Sequence, residues 1–156
     1  MTKTFGLIFP EMMERPWSGV VAGLYEFASD KNFCFLLNAS VNGDARVSSN
    51  KVLNSFVGEC IGRGVSGVLM RPVVDRKTTL RIVAKFRRAG IPVGIIQVGD
   101  DLKLKSRGCD VITRNLGKTM KPASERMLGE LAFNSLLQRI FDHTTPPGDN
   151  RFVAPM

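Results

Sequence analysis

The sequence predicts a three-layer α/β domain, with helices on both faces of an open parallel sheet, and three observations predict it. Phe5 to Phe9, Phe33 to Asn38, Gly67 to Met70 and Val93 to Val98 are short apolar runs bounded by Gly, Pro or polar residues, the pattern of strands buried on both faces. Segments with helical periodicity separate them. A length of 156 residues with 44% hydrophobic and 23% charged side chains matches one domain with one core, burying roughly 70% of the surface its unfolded chain exposes. Alternating strand and helix imply right-handed crossovers and a flavodoxin-like order 2-1-3-4-5, the fifth strand falling at Asp110 to Thr113.

The first helix follows Pro16, a residue suited to a first turn, and its stripe is Val20, Val21, Leu24, Phe27 and Ala28. In the second, Leu53, Phe56, Val57, Cys60 and Ile61 repeat at helical spacing, and Gly64 follows as a stop signal. The third runs from about Thr78 to Ala89, burying Leu80, Val83 and Ala84 and exposing Arg81, Lys85 and Arg88, before Gly90 and Pro92. Asp100 to Gly108 reads as a loop or linker, and His143 to Arg151 as a Pro-Pro-Gly turn region. The last helix, about Ala123 to Asp142, is apolar on two sides. Phe133, Leu136, Leu137 and Ile140 line one, while Met127, Leu128, Leu131 and Ala132 line the other. Such a helix lies deep in the fold or meets a second subunit, and a homodimer through Met127, Leu128 and Leu131 is expected.

Composition narrows the function classes. No stretch approaches the roughly 20 apolar residues of a membrane helix, and the run Phe5 to Phe9 is too short for a secretory segment, so a cytoplasmic protein is expected. Cys34, Cys60 and Cys109 are odd in number and widely spaced, with His143 the single imidazole. They indicate reduced thiols, two of them expected to be buried in apolar surroundings, and no metal or other cofactor. No GxGxxG, P-loop or GxSxG motif occurs, and a non-enzyme is expected. The net charge of +8 is concentrated: residues 71 to 121 carry thirteen basic and four acidic side chains. A solvated face accounts for this, and the rival reading is nucleic-acid or anion binding through Arg76, Lys77, Arg81, Lys85, Arg87 and Arg88.

IFPEMMERPWSGVVAGLYEFASDKNFCFLLNAS, then RGVSGVLMRP, then AGIPV, resembles in order the opening lobe of the type I periplasmic-binding-protein-like domain of lactose-repressor-type regulators and sugar-binding proteins. LGELAFNSLLQRI and PPGDNRFVAP are similar to that family's final helix and the segment after it. The resemblance implies a single lobe: first-lobe βα units over about 1–100, a linker at about 101–109 replacing the second lobe, and a returning strand, last helix and tail over about 110–156. Only four residues precede Phe5, so no DNA-binding head is expected there. A natural truncation, a gene fragment and an engineered half-protein share this signature.

The resemblance also implies a non-catalytic sugar-sensor-like module whose ligand, a small sugar or polyol, gathers beyond the carboxyl ends of the strands. Trp17 aligns with the family's ring-stacking aromatic, and a core or lid role suits it equally. Arg15 stands where the family has a capping Asn, and arginine cannot accept that hydrogen bond. Gln97 and Val98 stand where the family has an Asp-Arg pair; Gln97 retains a hydroxyl-bonding amide, and Asp100 lies near enough to substitute. Asn38, Asn42 and Arg71 complete the polar candidates.

Overall fold

A computed structural model of the chain describes residues 3–10, 14–38, 50–73, 75–98, 111–115, 120–141 and 148–152. In chain order the elements are β1 (Lys3–Ile8), α1 (Trp17–Ala28), β2 (Phe33–Asn38), α2 (Asn50–Arg63), β3 (Gly67–Met70), α3 (Arg76–Arg88), β4 (Val93–Val98), β5 (Val111–Asn115), α4 (Pro122–Phe141) and β6 (Gly148–Phe152). The strands pair in parallel in the order β2-β1-β3-β4-β5-β6. The expected 2-1-3-4-5 order is present, extended by one strand. Residues 148–152, expected within a turn region, pair with β5 because the crossover through α4 returns the chain to that open edge.

Alternation along the strands sends successive side chains to opposite faces and builds two cores. On one face Ile8, Val68, Met70, Val93, Ile95 and Ile112 meet Leu53, Phe56, Val57 and Cys60 of α2 and Ile82, Val83 and Phe86 of α3. On the other, Phe5, Leu7, Leu69 and Ile96 meet Val20, Val21 and Leu24 of α1 and Leu128, Ala132, Phe133, Leu136 and Leu137 of α4. The result is three layers, α2 and α3, the sheet, then α1 and α4. Phe133 is its aromatic centre, within 5.2 Å of the Phe5 ring and 5.7 Å of the Phe35 ring.

α3 begins two residues earlier than expected, at the Asp75 cap, whose carboxylate accepts from the Thr78 main-chain N–H at 2.7 Å. Its buried stripe is Ile82, Val83 and Phe86, while Ala84 is exposed and Leu80 half-buried. Ile82 and Phe86 carry more apolar area than Ala84 and Leu80, so the helix is rolled to bury them.

The two-sided apolar character of α4 has an intramolecular cause. Phe133, Leu136 and Leu137 face the sheet, and Leu128 with Ala132 faces α1. Leu128, expected on a dimer stripe, is fully buried within the chain; Met127 is exposed and Leu131 half-buried. α1 and α4 approach so closely that a Cβ on Gly129 would collide with the Val20 carbonyl oxygen, and one on Gly23 with the Arg126 backbone. An Arg126–Glu26 ion pair closes the outer side of this crossing. Asn42, Asp100, the linker at 101–109, Cys109 and His143 lie outside the described residues.

Candidate ligand-binding edge

In an open parallel sheet the strands' carboxyl ends diverge where the order reverses, here between β1 and β3. Backbone hydrogen bonds hold this edge together past the strand ends. Phe9 N–H donates to the Asn38 carbonyl at 3.2 Å, and Arg71 N–H to the Ile8 carbonyl at 3.1 Å. The loop after β1 then delivers Trp17 at the start of α1, against Phe9 with ring centroids 5.8 Å apart.

Trp17 is only 7% exposed, and the Arg71 guanidinium lies 4.9 Å from its ring centroid. Arg71 Nε also donates to the Pro72 carbonyl at 3.2 Å, which fixes the guanidinium over the indole. The tryptophan is therefore a core residue at the rim, and its polar neighbour, not its ring, meets the outside.

Arg15 is drawn elsewhere. Its guanidinium pairs with Glu125 at 2.9 Å and reaches the Met120 carbonyl at 3.4 Å, tying the loop before α1 to the first turn of α4. The Glu125 side chain is 4% exposed, whereas that of Arg15 is 61% exposed. A carboxylate in a helix's first turn is favoured by the macrodipole. Room for it exists because position 19 is glycine; a Cβ there would strike the Glu125 side chain.

Asn38 ends β2 and Gln97 lies one residue from the end of β4, both buried. By alternation they share the α2/α3 side of the sheet with Leu36 and Ile95, separated by β1 and β3. Gln97 accepts a hydrogen bond from Arg114 through its Oε1, and its Nε2 has no partner. Asn38 Oδ1 and the Thr113 hydroxyl are likewise buried without partners. The structure thus joins Trp17 with Arg71, sets Asn38 and Gln97 across the same edge, and assigns Arg15 to a helix contact.

Sequence reasoning missed Thr113, Arg114 and Glu125. The first two had a signal: β5 opens apolar, as Val111-Ile112, and closes polar, as Thr113-Arg114-Asn115, although Thr113 and Asn115 are buried. Glu125 had none, since its burial depends on a glycine more than a hundred residues away. Among the described residues no group of three or more His, Cys, Asp or Glu is placed to hold a metal ion, and no helix is long and apolar enough to cross a membrane.

No protein-family model and no curated protein sequence matches the chain. Solved structures do match. A LacI family transcriptional regulator from Enterococcus faecium, with bound ribose, is 10% identical with a TM-score of 0.61, covering 97% of this chain and 95% of its own. A putative ribose operon repressor from Burkholderia thailandensis is 12% identical with a TM-score of 0.56, covering 98% of each. The fold is a periplasmic-binding-protein-like α/β lobe. An ABC transporter solute binding protein from Clostridium phytofermentans, with bound β-D-glucose, gives a TM-score of 0.52 at 15% identity. Its match covers 73% of this chain, and the chain spans 32% of that protein's length. At these identities the likeness establishes the lobe's fold alone.

Proposed function

We propose that this lobe is a non-catalytic, sugar-sensor-like binding module that takes a small sugar or polyol at the carboxyl edge of its sheet. The observation that carries the reading is the pair of buried polar atoms without partners on one side of that edge, Asn38 Oδ1 and Gln97 Nε2. Each costs about 1–3 kcal/mol when left unsatisfied, a cost that a bound hydroxyl-rich ligand offsets. An acceptor and a donor are the complement of sugar hydroxyls, which both donate and accept. Arg71 and Asp100 are assigned as the charged contacts, Trp17 as the support beneath Arg71, and Arg15 as the tie that holds the loop before α1. The ribose and β-D-glucose named for two of the structurally similar proteins lend support.

The twelve residues 99–110 join two adjacent parallel strands, a length an ordinary crossover needs. We read 101–109 accordingly as a linker standing in place of a second lobe. Pockets that bury most of a ligand need two walls, so one lobe binds weakly unless another chain supplies the second. Self-association belongs to the same reading, through the outer face of α4 at Met127 and Leu131. A cytoplasmic location fits the free thiols of Cys34 and Cys60.

The test is thermal melting with ribose, glucose and allose at millimolar concentrations. At least one sugar raises the melting temperature of the parent. Asn38→Leu, which removes an orphan acceptor at similar volume, keeps a cooperative melt yet reduces the sugar-induced rise. No rise with any sugar overturns the proposal.

A further inference from the structure

The outer face of α3 plays no part in the ligand edge. Its sequence, RKTTLRIVAKFRR, holds six cationic side chains and no carboxylate. At 3.6 residues per turn, Arg76, Arg87, Lys77, Arg88, Arg81 and Lys85 fan over about half the helix circumference and about 18 Å of its length. Burial follows the same division. Arg76, Lys77, Arg81, Arg87 and Arg88 are exposed and Lys85 half-buried, while Thr78, Thr79, Ile82, Val83 and Phe86 face the core. The helix is held rigidly on the sheet by that buried stripe and by the Asp75 cap, so the charges are displayed on a fixed scaffold. Lys85 Nζ reaches Asn54 Oδ1 on α2 at 3.2 Å, and exposed Lys51 extends the positive surface onto that helix.

Independently of the sugar reading, we propose that the α3 face binds duplex nucleic acid through its phosphate backbone, without reading sequence. Duplex DNA presents one negative charge per about 3.4 Å along each strand, and six cations over about 18 Å, one per about 3 Å, match the density of one strand. The capping Asp75, which interacts with Lys77 and Arg81, is the carboxylate at the N-terminal end of this face. The side chains that share the outer arc select among polyanions. Leu80 is half-buried and Ala84 small, so the face lacks the apolar wedge that a membrane surface engages. It also lacks the aromatic anchors that hold most protein partners. With no aromatic there either, it offers no stacking platform for single strands.

The experiment is fluorescence anisotropy of a labelled mixed-sequence 24-base-pair duplex with the full chain, at 50 and 200 mM KCl. Engagement of about five phosphates gives a log–log slope near −4.5, which is a loss of roughly 500-fold in affinity across that range. Arg81→Glu with Arg88→Glu lowers affinity at least about tenfold at 50 mM KCl, with the melting temperature retained. Lys3→Glu with Lys31→Glu makes the same change in net charge on the α1/α4 layer and retains most of the binding. Equal losses in the two double variants overturn the proposal, because net charge alone would then explain the attraction. So does affinity insensitive to salt, a single strand that binds as tightly as the duplex, or binding to phosphatidylserine vesicles with none to the duplex. The sugar-dependent melting of the Arg81/Arg88 variant equals the parent's, which keeps failure of this proposal distinct from failure of the sugar reading.

Discussion

Two cysteines show how far environment, and not residue type, sets chemical behaviour. Cys60 is fully buried between α2 and the sheet, close enough that a Cβ on Gly6 would stand 2.9 Å from its sulfur, and burial pushes its thiol up to about 12. Cys34 is exposed on the edge strand β2, although its sequence surroundings are equally apolar. A thiol reagent at neutral pH therefore modifies Cys34 in the native protein and reaches Cys60 only in denaturant, as mass spectrometry of labelled peptides checks. The pH consequence has a definite sign. The folded thiol stays protonated above its ordinary value of 9.0, where the unfolded thiol ionises, so stability is intact below about 9 and declines as pH rises toward about 12. Cys60→Ala flattens that alkaline decline in urea titrations. Nothing local in the sequence separated these two residues, whereas Trp17 after Phe9-Pro10 was legible as a rim aromatic. That it is capped by Arg71 was not, because the guanidinium arrives from the end of β3.

Helices were legible as amphipathic units, and the faces of α1 and α2 were read nearly in full, except that Phe27 is half-buried and Ile61, at the end of the α2 stripe, is exposed. α3 was read about a quarter turn out of phase because Leu80, Val83 and Ala84 form a stripe as regular as Ile82, Val83 and Phe86, and the larger side chains win the core. For α4 the apolar pattern left open whether a second subunit or the chain itself covers the second side, and the close approach at Gly23 of α1 and Gly129 of α4 shows that the chain itself covers Leu128 and Ala132. Gly129→Ala forces α1 and α4 apart and is expected to cost about 3 kcal/mol or more in urea unfolding. Gly58→Ala, at an exposed position of α2 where a Cβ meets nothing within 4 Å, is expected to stabilise by about 0.5–1 kcal/mol. Equal effects at the two positions would mean that the close helix crossing is absent in solution.

At the scale of the molecule, strand order followed from alternation and crossover handedness, and the sixth strand escaped because a Pro-Pro-Gly stretch reads as a turn. β6 lies parallel to β5 and so widens the sheet beyond the expected five strands. Met127 is 48% exposed and lies with Glu130, Leu131 and Asn134 beside a surface groove of about 420 Å³. Sedimentation velocity is expected to give a dimer for the parent and a monomer for Leu131→Lys; identical sedimentation of the two excludes this contact.

By itself the sequence determined the layered parallel fold and the order of its first five strands, because those follow from periodicity and from the handedness of local crossovers. Only the tertiary structure decided which polar atoms at the carboxyl edge of the sheet lack partners, why Leu128 faces inward, and that Arg15 binds Glu125. Each of those depends on distances between segments remote in the chain, which no local pattern encodes.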